Sequence, residues 1–303
     1  MLQSRRSFLG VLAGTAAVSL ASAATRPKRI GFVDDNPDNF HANTYLRLIR
    51  TDLKERGFDV AGVTALQKDA GRRWAAKNGV PWFDSVEELN DRVDYYAVLA
   101  PSTPHTHLPL CKQVLPYGKP TFVDKTFAPS AKVAEQIFAL ADRYKTPVQT
   151  SSALRYTNVQ DFVRKTGEEV RHIVTWGGGR SFDEYAVHPL ELAISCMGPQ
   201  VTQVMRRGRE PEVQLLLDFD GGRTAVVNVY TQASTPFAAA VSTRRGTRYV
   251  AVDTRTLFLR ACAAMLDFFE AGSAQVDRRE TMAIMRVLDA ARDPASEHRF
   301  LPV

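Results

Sequence analysis

Between Arg29 and Thr150 the chain alternates short apolar runs with amphipathic segments, and this alternation constrains its fold more than any other feature. Arg29 to Val33 reads as a buried strand. His41 to Arg56 puts Tyr45, Leu46, Ile49 and Leu53 on one helical face and meets Gly57 as a C-terminal stop. Phe58 to Thr64 is a second strand, and Ala70 to Asn78 a helix ended by Gly79. Asp84 to Leu89 opens with a capping residue and an acidic first turn. The strand Tyr95 to Ala100 runs into a proline-rich turn, Pro101 to Pro104. A helix from about Leu108 to Tyr117, the strand Thr121 to Val123, the helix Ala131 to Tyr144 and the strand Pro147 to Thr150 complete the pattern. Strands and helices at this spacing form a parallel, doubly wound sheet, which binds ligands at the carboxyl ends of its strands. Those ends are Val33-Asp34-Asp35, Thr64, Ala100 to His107, and Asp124-Lys125.

Past Ser151 the texture changes. Longer strand candidates follow one another, at Arg171 to Trp176, Val201 to Arg206, Val213 to Phe219, Thr224 to Tyr230, Ala238 to Thr243 and Tyr249 to Val252. Asp220-Gly221-Gly222 is a hairpin turn between two of them. The expectation is a mostly antiparallel sheet with one face covered by helices, closed by the helices Leu257 to Ala271 and Arg278 to Ala291. The result is an α/β chain of two domains, 27–150 and 151–303.

The first residues have another purpose. Ser4-Arg5-Arg6-Ser7-Phe8-Leu9 opens an apolar run to Leu20, and Ala21-Ser22-Ala23 supplies a small-residue cleavage site. That run is too short to span a bilayer, and the arginine pair is the address of the twin-arginine export machinery. Residues 1–23 are therefore expected to be a signal peptide, and the mature protein to be periplasmic or secreted. No later apolar run is long enough for a membrane span. The formal net charge of +6 includes Arg5 and Arg6, and the short clusters Arg206 to Arg209 and Arg244 to Arg248 are too small for a nucleic-acid surface. Cys111, Cys196 and Cys262 have no motif spacing and read as buried thiols without a disulfide.

With the elements placed, Tyr96 to Pro147 resembles the Gfo/Idh/MocA oxidoreductases, which include glucose-fructose oxidoreductase and inositol dehydrogenases. The residues that carry the likeness are Ala100-Pro101, His107, Gly118-Lys119-Pro120, Phe122-Val123 and Asp124-Lys125-Thr126. Counting forward from Pro101 selects His105 instead of His107 as the family histidine. A second match is Glu184-Tyr185-Ala186-Val187-His188-Pro189-Leu190-Glu191, running on to Gly198. The resemblance implies a Rossmann-like N-terminal domain, an α+β C-terminal domain whose open sheet can form a homo-oligomer, a sugar or polyol substrate, and NADP or NAD as cofactor.

It also implies roles. His188 would be the acid/base, Lys125 its partner in orienting the hydroxyl and stabilising charge on oxygen, and Glu184 a residue that orients substrate or tunes His188. Pro189 at a first helical position would set His188 at a helix N-terminus, which lowers its pKa. Gly31, Asp34, Asn36, Thr64, Pro101, His107 and Asp124 fall at the cofactor-binding positions. Of the glycine-rich turn that holds a pyrophosphate only Gly31 remains, with Asp34 and Asn36 at the next two glycine positions and Asp35 and Asp38 beside them. Thr64, with Lys68 and Arg72 beyond it, favours NADP over NAD. Two other functions stay open. One is a nucleotide-free sugar lyase or epimerase, in which Asp34, Asp35, His41, His105 and His107 lie along the cleft and metal assistance is conceivable, although no metal ligand is assigned. The other is a non-catalytic periplasmic carbohydrate-binding protein.

Overall fold

A computed structural model describes residues 26–303. The twin-arginine segment lies outside the described residues. The first domain alternates β1 (Lys28–Asp34), α1 (Phe40–Arg50), β2 (Phe58–Ala65), α2 (Lys68–Asn78), α3 (Val86–Asn90), β3 (Tyr95–Val98), α4 (His107–Val114), β4 (Thr121–Val123), α5 (Ala131–Tyr144) and β5 (Val148–Thr150). Its five strands lie in the order β2-β1-β3-β4-β5, every pair parallel. The interior strand β1 is buried from Ile30 to Val33 because helices cover both faces. Gly79 ends α2 in the left-handed conformation, as expected of a C-terminal stop, whereas α1 stops at Arg50 and Gly57 caps only the short 3-10 turn Lys54–Arg56 that follows.

The second domain contains α6 (Asn158–Thr166), β6 (His172–Gly178), α7 (Phe182–Tyr185), α8 (Val187–Met197), β7 (Val201–Arg209), β8 (Glu212–Phe219), β9 (Arg223–Tyr230), β10 (Ala238–Thr243) and β11 (Gly246–Ala251). The closing helices α9 (Leu257–Ala271) and α10 (Arg278–Arg292) and the short β12 (Leu301–Pro302) follow. The sheet order is β11-β10-β6-β9-β8-β7-β12, antiparallel throughout except for the parallel pair β6–β9. Burial alternates along β8, as it must in a strand with one face against helices. Asp220–Gly222 links β8 to β9 as the hairpin reading expects.

The packing boundary differs from the chain boundary. In α9, Cys262, Met265, Leu266, Phe268 and Phe269 join the core formed by β1, α1 and β2. In α10, Met282 and Met285 join the core under α4 and α5. The closing helices thus belong to both domains and clamp them together, whereas the sequence pattern assigns them to the second alone. Cys111 and Cys262 are buried, Cys196 is half-buried, and burial pushes the thiols of Cys196 and Cys262 up to about 12. Among the described residues no helix is long and apolar enough to cross a membrane.

Candidate active site

A cavity of about 640 Å³ opens where the carboxyl ends of β1, β3 and β4 face α7, α8 and the start of α9. That volume suits a small ligand. Lys125, Glu184 and His188 all line it, although α7 and α8 lie far along the chain from β4. Lys125 is 6% exposed, and its Nζ donates to the carbonyl of Pro101 at 3.3 Å. Burial lowers its pKa, and the negative charges of Asp124 and Glu184 work against that shift.

His188 is the second residue of α8. Pro189 is therefore the third helical residue and not the first, but the ring still projects from the helix N-terminus. Its Nδ1 lies 2.7 Å from Ser152 Oγ, which leaves Nε2 for the cavity. Burial holds His188 well below the usual imidazole range, and the nearby positive charge of Lys125 adds to the effect. The sequence pattern anticipates this direction, with the helix N-terminus as its cause; burial is the larger one. A serine hydroxyl accepts from a protonated Nδ1 or donates to a bare one, so His188 can present Nε2 as base or as acid. Ser152 is fixed in turn. Its N–H donates to Glu191 Oε2 at 2.6 Å, and Glu191 Oε1 accepts from Arg155 Nε at 2.7 Å. Glu184 Oε1 accepts from Ser102 Oγ at 3.0 Å, bringing α7 to the β3 end.

The residues at the cofactor positions fare differently. Pro101 lines the cavity. Gly31 lies within β1, where an added Cβ would meet Leu89 and Val93 at 3.1 Å; it is a packing glycine and not part of a phosphate loop. Thr64 is buried in β2 beside Val33. His107 is fully buried, its ring nitrogens 3.0 and 3.1 Å from the carbonyls of Phe127 and Ala100, so it ties α4 to the β3 and β4 ends and does not reach the cleft. His105 does not line the cavity either. Arg72, expected to favour a 2′-phosphate, is engaged by Asp84 at 2.6 Å and lies over Trp82.

The loop between β1 and α1 is satisfied from within. Asp34 is 1% exposed, and its carboxyl accepts from Asn36 N at 3.1 Å and Asn39 Nδ2 at 2.9 Å. Asn36 Oδ1 accepts from Asp38 N, and Asn39 Oδ1 caps α1 by accepting from Ala42 N. The N–H groups of Asn36, Asp38 and Ala42 thus already have side-chain partners within this segment. The lysine and histidine end of the cleft fits a nicotinamide and a hydroxyl substrate; the loop end carries Asp34 and Asn36 at the positions where a glycine-rich turn has glycines.

Burial raises the Asp34 carboxyl to about 8, while hydrogen bonds from Asn39 and from the backbone of Asn36 and Asp35 pull the other way. Folded Asp34 therefore keeps its proton well above the pH at which the unfolded chain releases it, near 4. Its stabilising contribution is full below about pH 4 and is lost as pH rises to about 8. Urea unfolding of the wild type and Asp34→Asn across that window is expected to show the wild type losing ground, by up to ~1.4 kcal/mol per pH unit. A difference between the two that stays constant with pH would contradict a buried, proton-holding Asp34.

Sequence reasoning singled out Lys125, Glu184 and His188 through family spacing, but missed Ser102, Ser152 and Tyr185. His41, expected along the cleft, does line the cavity, but its partner was not anticipated. His41 Nδ1 is 2.5 Å from Asp124 Oδ2, a contact between residues 83 positions apart. No local signal marks such a pair. Asp124, assigned to cofactor binding, is instead committed to His41 and to the Lys125 backbone N–H at 2.8 Å.

Residues 40–152 match the model of the Gfo/Idh/MocA oxidoreductase family, NAD-binding Rossmann fold. The match begins at α1, after the β1–α1 loop. No curated protein matches the chain. Among solved structures it is similar to myo-inositol 2-dehydrogenase from Lactobacillus plantarum (TM-score 0.77, 11% identity, 91% of this chain and 99% of that one). It is similar to apo scyllo-inositol dehydrogenase from Lactobacillus casei (TM-score 0.77, 12% identity, 91% and 98%). A third is an oxidoreductase from Agrobacterium radiobacter in complex with NAD+, L-tartaric acid and magnesium (TM-score 0.73, 14% identity, 90% and 98%). These likenesses establish a Rossmann domain joined to an α+β domain over nearly the whole chain.

Proposed function

We propose that this protein is an exported oxidoreductase that interconverts a hydroxyl and a carbonyl on a sugar or polyol derivative, with NAD or NADP held without a glycine cradle. The observation that carries this reading is the convergence of Lys125, Glu184 and His188 on one cavity at the β4 end. The chemistry supplied by a bound nicotinamide ring is hydride acceptance or donation at the substrate carbon. Pro101, Ser102 and Lys125 line the side of the cleft that would hold that ring. A substrate hydroxyl between Lys125 Nζ and His188 Nε2 gives its proton to the neutral imidazole, and the lysine steadies the negative charge that develops on oxygen. Glu184, anchored by Ser102, is placed to accept from a neighbouring hydroxyl. Export rests on the Ser4-to-Leu9 motif, and a homo-oligomer on the open outer face of the second sheet, where Tyr249 is 56% exposed.

The hydrogen bonds that Asp34 and Asn39 make within the β1–α1 loop favour a second reading, a nucleotide-free sugar lyase or epimerase using proton transfer alone. Mass spectrometry of small molecules released from protein purified out of the exported pool separates the two. Near-stoichiometric NAD or NADP, with hydride transfer to or from a polyol panel, is expected. Well-folded protein with no nicotinamide and no transfer would overturn the first reading.

A further inference from the structure

The β1–α1 segment delivers to the cavity a side chain that the hydride chemistry does not use. His41 lines the same cavity as Lys125 and His188. Its ring is held on two sides. Asp124 Oδ2 sits 2.5 Å from Nδ1, and Phe40, Tyr45 and Phe258 pack around it at centroid distances of 6.0, 5.8 and 5.5 Å. Asp124 is itself fully buried, with Oδ1 accepting from the Lys125 N–H. In a neutral ring this pairing places the proton on Nδ1, and Nε2 is left with its lone pair for the cavity. A carboxylate that fixes the tautomer of an imidazole, with the other nitrogen free, is the arrangement of a general base.

We infer that His41, positioned by Asp124, is a second catalytic base of this cavity, acting on the carbon next to a substrate carbonyl and so giving the protein an α-proton exchange activity on keto sugars. The inference rests on reading the cavity as a sugar site with Lys125 at the reacting oxygen. A carbonyl acidifies the C–H bonds beside it. That C–H bond breaks, the proton passes to His41 Nε2, and the electron pair moves into a carbon–carbon double bond while the carbonyl oxygen takes up negative charge beside the Lys125 ammonium. Return of a solvent-exchanged proton from the same nitrogen restores the ketone. Every proton and electron is accounted for without an oxidant or reductant. Delivery to the opposite face of the carbon, for which His188 is the available acid, would invert the centre.

The test uses the full-length protein in D2O with methyl 3-keto-glucopyranoside and with fructose as probes, no nicotinamide added, followed by proton NMR. Deuterium is expected at the carbon beside the carbonyl at least about 100-fold faster than in buffer. His41→Gln should return the rate to that of buffer while its unfolding temperature stays close to that of the wild type. Asp124→Asn should slow exchange and, in spectra of the 15N-labelled imidazole, abolish the single Nδ1-protonated tautomer of His41, a change that a merely structural role for Asp124 would not produce. Exchange at the buffer rate on both probes, or exchange unaltered in His41→Gln, overturns the inference. Because the probes already carry the carbonyl, exchange without hydride transfer would refute the oxidoreductase reading alone, and hydride transfer without exchange would refute the second base alone.

Discussion

Lys125→Met is expected to lower kcat/KM for the oxidised or reduced sugar by about 10²–10³, the usual effect of removing one preorganised donor to a developing oxyanion. Methionine keeps the stem and loses the ammonium, so the buried β4 end stays filled. The ammonium is held by its contact with the Pro101 carbonyl and by the nearby charges of Asp124 and Glu184. Because burial lowers the Lys125 pKa, the rate should fall on the alkaline side at a lower pH than an exposed lysine would give. A variant that folds and retains the wild-type kcat/KM would remove Lys125 from the chemistry.

Arg155→Met is the change expected to cost most in stability. Arg155 donates to Glu191 at 2.7 Å and to Glu280 at 2.5 Å, with side chains only 11%, 5% and 18% exposed. The two acids come from α8 and α10, so this guanidinium joins the helices that carry His188 and clamp the domains. Without it two carboxylates remain in a poorly hydrated site, a loss of about 3–5 kcal/mol. For a chain of this size that corresponds to a fall of roughly 10 °C in unfolding temperature. Glu191 also holds the Ser152 N–H, so the His188 partner loosens at the same time. Thermal unfolding of Arg155→Met and of Arg155→Met combined with Glu191→Gln provides the check. The double variant should recover part of the loss by removing one unpaired charge. A single variant as stable as the wild type would mean that water, and not Arg155, satisfies the two acids.

The layered architecture was legible because it is written in local periodicity. Apolar runs of strand length around Ile30, Val60 and Ala97, helical stripes such as Tyr45-Leu46-Ile49, and the glycine stops at 57 and 79 each act within a few residues. Lys125, Glu184 and His188 were legible for another reason: their spacing to prolines, glycines and strand ends resembles a family pattern, and the fold brings all three to one cavity. The Asp34 loop was legible in part. Carboxylates in place of glycines indicated a poor phosphate site, but the residue numbers could not show that Asp34 turns inward and takes up the loop's own donors.

What the sequence determined by itself was the order of layers, the position of the strand ends and the chemical types present at them, since these follow from periods of two and 3.6 residues acting locally. Only the tertiary structure decided the pairing of His41 with Asp124, the seat of His188 on Ser152, the burial of His107 and the return of α9 and α10 onto the first domain. Each of these joins residues far apart in the chain. Its existence depends on how strand ends and helix faces register when two domains close on each other, and no local propensity records that.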